Sequence, residues 1–414
     1  MRSNPMSMEN AAPGRWLPIV GVGEDGIDGL SAAARRLITS ADIVFGGKRH
    51  LALVASLVRG DARSWPSPFE RAIQEVLKLR GHRVCVLATG DPFQHGVGSL
   101  LARHVDSHEI AAVPAPSAFS LAAARLAWAL PEATLLSLHA RAHDLLRPHL
   151  QPDRRVLALT SDGEAPRMIA RLLVESGFGA SRLSVLEALG GPRERIRTTI
   201  ANGFDLHDVD PLNVLAIEVE AASGARIIPR TGGLADELFE HDGQITKREV
   251  RAVTLSSLAP RRGELLWDVG AGAGSVAIEW MLADPSMRAI AIEARADRVA
   301  RIQRNAATLG VPGLDVRKGE APAALAGLPA PDAIFIGGGA GEHGMIETAT
   351  DALRASGRLV VNAVTLVTEA CLLASHAELG GTLTRIAISR AAPLGRMTGW
   401  RPALPVTQWT WVKP

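Results

Sequence analysis

Residues 266–280 read LWDVGAGAGSVAIEW. An apolar run carrying one acid, Asp268, leads into glycines at every second place, Gly270, Gly272 and Gly274, and an apolar stretch follows. A strand, a glycine turn and a helix in that order set bare backbone against a ligand at the carboxyl edge of a sheet. Two cofactor classes compete for such a turn. A dinucleotide site wants G-x-G-x-x-G, so that pyrophosphate can sit on the helix N-terminus. Counted from Gly270, the third glycine of that pattern falls on Ser275, and the spacing present is G-x-G-x-G. Asp268 also argues against a phosphate, which a nearby carboxylate repels more strongly as water is excluded. A cationic ligand without phosphate suits the acid, and S-adenosylmethionine carries an ammonium and a sulfonium.

One strand–helix–strand step later, AIAIEARADR ends a second strand on Glu293. An acid there can accept both ribose hydroxyls, in a methyl donor and in a nicotinamide cofactor alike. KGEAPAAL follows a third strand, and its Gly319, Glu320 and Ala321 stand where an adenine edge would be bound. The two cysteines, Cys85 and Cys371, are far apart and lack metal-ligand spacing, so neither a metal nor a disulfide scaffold is expected.

The first half carries weaker signals of the same kind. PIVGVGEDGIDGL places Gly21 and Gly23 in a turn after a strand, with Glu24 and Asp25 in the loop. A ligand turn and a plain surface turn fit it equally. In LATGDPFQHG a strand ends at Thr89, and Gly90, Asp91 and Pro92 make a stiff turn whose carboxylate either meets a ligand or caps the next helix. VPAPSAFSLAAARL puts Ser117, Ala118 and Ser120 at a helix start, either as a cap or as part of a ligand loop. LSLHAR brings His139 and Arg141 beside a strand end.

These residues must be positioned by a chain of 414 residues, long enough for two or three domains. Apolar residues at 47% and charged residues at 21% describe an ordinary globular chain. Short apolar runs alternate with longer helical patterns, the sign of α/β architecture. Ser31 is expected to cap the helix SAAARRLITSAD. A polar start, 1–14, is expected to be unstructured, and a first domain covers 15–223. A glycine-bearing linker spans 224–235, and a second domain covers 236–414. In the second domain a near-parallel sheet is expected to close with an antiparallel pair, LTRIAIS and PVTQWTWV, joined by a long loop. The first residues hold no apolar core of signal-peptide length, no run of about 18 apolar residues predicts a membrane span, and the two widely spaced cysteines fit a cytoplasmic setting. A net charge of +2 predicts no nucleic-acid partner. Self-association into a homo-oligomer is expected.

Taken together, the segments resemble two methyltransferase families in one chain. GVGEDG, GDPF at 90–93, PAPSAFS at 114–120 and SLHAR at 137–141 resemble the tetrapyrrole (class III) methylases of cobalamin and sirohaem synthesis, as do LEALGGPRERI and LNVLAIE. Ala115 stands where that family often has glycine. FEHDGQITKREVRAV, DVGAGAGSVAIE, DAIFIGGG and VVNAVTL resemble the class I methyltransferases, in particular the decarboxylating precorrin branch. With GKRHL, the combination covers nearly the whole chain beyond its start. The resemblance implies a two-lobed class III fold followed by a Rossmann-like class I domain.

It also implies S-adenosylmethionine as donor and a corrinoid precursor bearing several carboxylates as substrate. Two methyl groups would go to C-5 and C-15 of precorrin-6Y (6B), and the C-12 acetate would lose CO2, giving precorrin-8. By the resemblance, the second domain decarboxylates and methylates C-15, and the first methylates C-5. Arg248 and Arg251, with Arg390, Arg396 and Arg401 of the late loop, are candidates for bidentate carboxylate clamps or plain surface charges. Thr246, with Glu249 three places on, forms a predicted capping box and a candidate substrate contact. His343, after FIGGGAGE, is a candidate general acid, and Asn362, in VVNAV, a candidate for orienting the substrate.

Other readings compete. One is a nicotinamide-dependent oxidoreductase, disfavoured by the missing third glycine. Another is an RNA methyltransferase, disfavoured by near-neutral charge and 4% aromatic content. A silent scaffold, or a single-step methyltransferase whose other domain is inactive, would leave at least one intact-looking loop without a purpose.

Overall fold

The computed structural model describes residues 15–67 and 69–414, and the start 1–14 lies outside the described residues. The chain divides into two units. Unit 1 runs to Arg141 and resumes over Pro152–Ala225. Unit 2 comprises Arg226–Pro414 together with Ala142–Gln151.

Unit 1 holds two five-stranded sheets. The first contains β1 (Leu17–Val22), β2 (Ile43–Gly46), β3 (Asp61–Ser64), β4 (Val84–Thr89) and β5 (Ile110–Val113), in the order β3-β2-β4-β1-β5. Every pairing is parallel. Near-continuous apolar runs such as VCVLAT fit strands covered on both faces, and Val84–Leu87 are wholly buried. Ser31 caps its helix as expected, accepting from Ala34 N at 3.2 Å. The second sheet contains β6 (Ala133–Ser137), β7 (Arg155–Leu159), β8 (Arg182–Glu187), β9 (Arg195–Ile200) and β10 (Asn213–Glu218), ordered β6-β7-β10-β8-β9. Here only β6 and β7 are parallel.

Unit 2 is built on seven strands: β11 (Leu265–Val269), β12 (Arg288–Glu293), β13 (Asp315–Lys318), β14 (Ala333–Ile336), β15 (Arg358–Ala363), β16 (Thr382–Ile386) and, after a hairpin, β19 (Val406–Val412). Their order is β13-β12-β11-β14-β15-β19-β16. Strands β11 to β15 are parallel, and β19 runs antiparallel to both neighbours, as the sequence suggests. Successive crossovers go one way from β11 and the other way from β14, so the crevice of the sheet opens between those two strands.

Three stretches differ from the sequence reading. The expected long loop before β19 is a two-stranded hairpin, β17 (Ser389–Leu394) and β18 (Met397–Pro402), turning at Gly395 with φ +62°. Its prolines read as loop, but a two-stranded ribbon has free edges where a missing N–H costs nothing. Ala142–Gln151 belongs with unit 2. Gly310 makes room for its Pro148, since a Cβ there would lie 2.3 Å from the proline Cδ. Gln151 Nε2 donates to the Ile228 carbonyl at 2.9 Å. The end of the expected linker is also anchored in unit 2, where Gly233 N and Leu234 N donate to the Glu279 carboxylate at 2.6 and 3.0 Å. Among the described residues no helix is long and apolar enough to cross a membrane.

Candidate active sites

The glycine turn of unit 2 follows β11, where Gly270, Gly272 and Gly274 have φ of +69°, +60° and +75°. Left-handed backbone at three alternate positions is cheap only for glycine. Gly270 N and Ala271 N donate to the Ile292 carbonyl, which ties the turn to β12. A Cβ at Gly270 would lie 3.0 Å from the Gly338 carbonyl oxygen, so the turns after β11 and β14 close on one another at the crevice. A Cβ at Gly272 would lie 3.1 Å from the Gln244 carbonyl oxygen, which lays the HDGQ segment across the turn. Asp242 fastens that segment through Arg298 at 3.0 Å and Arg301 at 3.1 Å.

Two buried carboxylates stand behind the turn. Glu293 accepts from Gly272 N at 2.9 Å and from Arg295 N at 3.1 Å, and each oxygen keeps a lone pair. Asp268 Oδ2 accepts from Ala277 N at 3.0 Å, whereas Oδ1 is buried without a partner. Burial pushes the Asp268 carboxyl up to about 7, and the Glu293 charge adds to the effect. An unpaired buried carboxylate oxygen is costly, and a bound cation relieves that cost. Bare backbone, two acids and a free oxygen fit a positively charged nucleoside without phosphate. Beyond β13, Gly319 N donates to the Glu293 carbonyl at 3.0 Å. Glu320 and Ala321 border a cavity of about 890 Å³ with Trp267 and Thr348.

The structure sorts the remaining candidates of unit 2. His343 is exposed on the loop after β14. Asn362, at the end of β15, has its amide fixed, donating to Thr254 Oγ1 at 3.0 Å and accepting from Gln408 Nε2 at 2.9 Å. Arg248 is exposed and lines a cavity of about 430 Å³ with Asp236, His241 and Arg390. Arg396 lies in the exposed turn of the β17–β18 hairpin.

Arg251 is a correction. It is wholly buried, pairs with Glu279 at 2.5 Å and Asp236 at 3.1 Å, and lies over the Phe239 ring, so its charge is spent inside the fold. The capping box is also corrected. The helix Arg248–Leu258 starts after Lys247, which makes no side-chain cap. Thr246 offers its carbonyl to Arg251, and Glu249 pairs with Arg390.

In unit 1 three loops meet at the ends of β1, β4 and β5. Gly90 N donates to the Val22 carbonyl at 3.2 Å, and Ala115 N to the Gly90 carbonyl at 3.1 Å. A Cβ at Gly21 would lie 1.8 Å from the Gly90 oxygen, so Gly21 permits the approach of backbone rather than of ligand. Gly23 packs against the Asp25 carboxylate of its own turn. Asp91 Oδ1 accepts from Phe93 N at 2.8 Å, and Pro92 is buried. Ser117 caps the helix that Ala118 begins, accepting from Ser120 N at 3.1 Å. Across the second sheet, His139 Nδ1 stands 3.2 Å from the Thr160 carbonyl.

Sequence reasoning missed a charged cluster beside this turn. Arg49 bonds to Glu24, to His50 Nε2 at 2.9 Å and to Thr89 Oγ1 at 3.0 Å. The available signal was the basic run in GKRHL together with the acid of GEDG.

Residues 17–202 match the tetrapyrrole (corrin/porphyrin) methylases, and residues 237–413 match the precorrin methyltransferase domain. The chain is 62% identical over 405 residues to the precorrin-6Y C(5,15)-methyltransferase (decarboxylating) of Sinorhizobium sp, covering 98% of each chain. Two relatives from Salmonella typhimurium strain LT2 match smaller portions. One, a cobalt-precorrin-6B C(15)-methyltransferase (decarboxylating), is 34% identical over 42% of this chain and 92% of its own. The other, a cobalt-precorrin-7 C(5)-methyltransferase, is 31% identical over 44% of this chain and 88% of its own.

Proposed function

Because the chain belongs to the decarboxylating precorrin-6Y C(5,15)-methyltransferases, we propose that its units divide the chemistry: unit 2 decarboxylates and methylates C-15, and unit 1 methylates C-5. The chain is an S-adenosylmethionine-dependent C-methyltransferase of cobalamin biosynthesis, and its reaction on the precorrin includes decarboxylation. The division is supported by the two shorter relatives, each named for one of the two positions. The observation that carries the reading is a glycine turn at the carboxyl ends of parallel strands in each unit, the second backed by the free oxygen of Asp268.

S-adenosylmethionine, when bound, supplies an electrophilic methyl group on a sulfonium. In unit 2, Gly270, Gly272 and Gly274 let it approach the backbone, Glu293 takes the ribose hydroxyls, and Glu320 and Ala321 border the adenine. Asp268 supplies negative charge behind the turn. In unit 1 the corresponding surface is Gly90, Asp91, Pro92, Ser117 and Ala118, with Gly21 and Gly23 shaping the loop behind it. Thr246 and the fixed amide of Asn362 orient the macrocycle, Arg248 and Arg396 pair with its carboxylates, and His343 delivers a proton. Orientation supplies much of the rate, since the methyl carbon is already activated. Each ring carbon that gains a methyl gives up one proton. The electron pair left by CO2 passes into the conjugated ring, and the exocyclic carbon is protonated.

The test uses the full chain with precorrin and donor, weighing products. Gly272→Leu is expected to yield a product with one added methyl and its carboxylate retained. Gly90→Leu is expected to yield a product that has lost CO2 and gained one methyl. Loss of the same step in both variants refutes the division. A cytoplasmic enzyme is in keeping with free Cys85 and Cys371. Self-association is in keeping with exposed Met397 and Trp400 on the hairpin, and sedimentation of a single-chain species would refute it.

A further inference from the structure

In unit 1 two arginines from separate segments converge on one acid. Arg49 lies in the helix Lys48–Leu53, Arg193 in the loop between β8 and β9, and Glu24 in the turn after β1. Arg49 Nη1 donates to Glu24 Oε1, and Arg193 Nη2 stands 3.8 Å from Glu24 Oε2. Arg193 also pairs with Asp210. The Glu24 side chain is 10% exposed and that of Arg193 62%, so solvent reaches the arginine while the acid sits beneath.

The cluster is built, not draped. Arg49 Nη2 donates to His50 Nε2 at 2.9 Å and to Thr89 Oγ1 at 3.0 Å, and Thr89 stands 2.8 Å from the same ring nitrogen. An arginine always donates, so that nitrogen carries no proton. In agreement, burial and then Arg49 push His50 down to about 4. On the other side, Arg125 and Gly190 N both bond to Glu194 and pin the loop that presents Arg193. Gly191 lets that loop close on the acid, since a Cβ there would lie 2.6 Å from Glu24 Cβ. Thr89 immediately precedes Gly90, so the guanidinium of Arg49 is fixed at the edge of the turn assigned above to the methyl donor.

The two guanidiniums repel each other across Glu24, with Asp210 paired to Arg193 alone, and burial together with the Arg193 charge lowers the Arg49 value from that of a free arginine. A carboxylate of the substrate would offset that repulsion. We propose that Arg49 and Arg193 form a carboxylate subsite for the precorrin in unit 1, with Glu24 standing in for an acidic side chain of the substrate until it binds. The proposal rests on unit 1 acting as the C-5 methyltransferase. Arginine matches a carboxylate bidentately, and a macrocycle gripped at its rim is held with one bridge carbon toward the donor.

The test compares the full chain with Arg193→Gln, Arg193→Lys and Glu24→Gln, following each methylation and the loss of CO2 by mass at graded precorrin concentrations. Binding of S-adenosylhomocysteine is measured calorimetrically. Arg193→Gln is expected to raise the KM of C-5 methylation about tenfold, the effect of losing one charge-assisted contact, while nucleoside binding and decarboxylation hold. Arg193→Lys should recover part of the loss. Glu24→Gln should lower that KM, because Arg49 then lacks its internal anion and Arg193 keeps only Asp210. An unchanged KM in Arg193→Gln, or a KM raised by Glu24→Gln as much as by Arg193→Gln, overturns the subsite. If Arg193→Gln raises the KM of the C-15 step instead, the pair does bind a substrate carboxylate, and the division of labour between units is what fails.

Discussion

Arg251 Nε donates to Glu279 Oε1 across 2.5 Å, with both side chains withdrawn from solvent. The pair joins the helix Arg248–Leu258 to the helix Ser275–Leu282 that follows the glycine turn. Glu279 also takes two backbone N–H groups of the segment entering unit 2. Arg251→Ala would leave Glu279 charged and buried without its partner, at a cost of about 3–5 kcal/mol. Chemical denaturation should show a transition of unit 2 shifted to lower denaturant. A transition left in place would mean that water compensates Glu279.

Burial and the Glu293 charge raise the Asp268 carboxyl from its ordinary 3.8 to about 7. The folded state then holds a proton that the unfolded chain releases. Stability is therefore fully present below about pH 4 and lost as pH rises toward about 7, with no further change above. Asp268→Asn should lack this loss between about pH 4 and pH 7, measured by denaturant midpoint. Affinity for S-adenosylmethionine should rise over the same range in the native chain and stay level in the variant. Parallel profiles for both chains would refute the assignment of charge to Asp268.

The glycine turn with Asp268 and Glu293 was legible because strand, turn and helix are local in sequence, and a missing side chain is visible as a letter. Arg251 was not. Its sequence neighbours resemble a polar helix start, and only the fold shows that its acid comes from the next helix. The Arg49 cluster was hidden for a similar reason. Its partners Glu24 and Thr89 follow β1 and end β4, and the sheet order β2-β4-β1 brings them together. The β17–β18 hairpin was obscured by Pro393 and Pro402, which read as loop until the free edges of the ribbon are seen.

Gly21→Ala should separate the units by function. The new methyl would strike the Gly90 carbonyl and the Ala115 amide, both held by backbone hydrogen bonds. Overpacking of this kind costs about 1–3 kcal/mol and displaces the loop at residues 90–92. C-5 methylation is expected to fall sharply while decarboxylation continues, read by mass. Full C-5 activity would mean that the three loops can part without harm.

Asn362 offers a check on orientation as distinct from packing. Its amide joins Thr254 and Gln408, both buried, and Ser257 Oγ donates to Gln408 Oε1 at 2.8 Å. Asn362→Ala removes an acceptor from Gln408 and a donor from Thr254, although Gln408 keeps its 3.1 Å bond to Thr254. The stability cost should be about 1–3 kcal/mol, the desolvation of groups left partly unpaired. If Asn362 also orients the macrocycle, the kcat of the C-15 step falls further than the loss of folded protein explains, with nucleoside affinity unchanged. Asn362→Asp keeps the acceptor for Gln408, and the Thr254 hydroxyl can turn to donate, so it should recover stability better than rate. Rate and stability recovering together would assign the residue to packing alone.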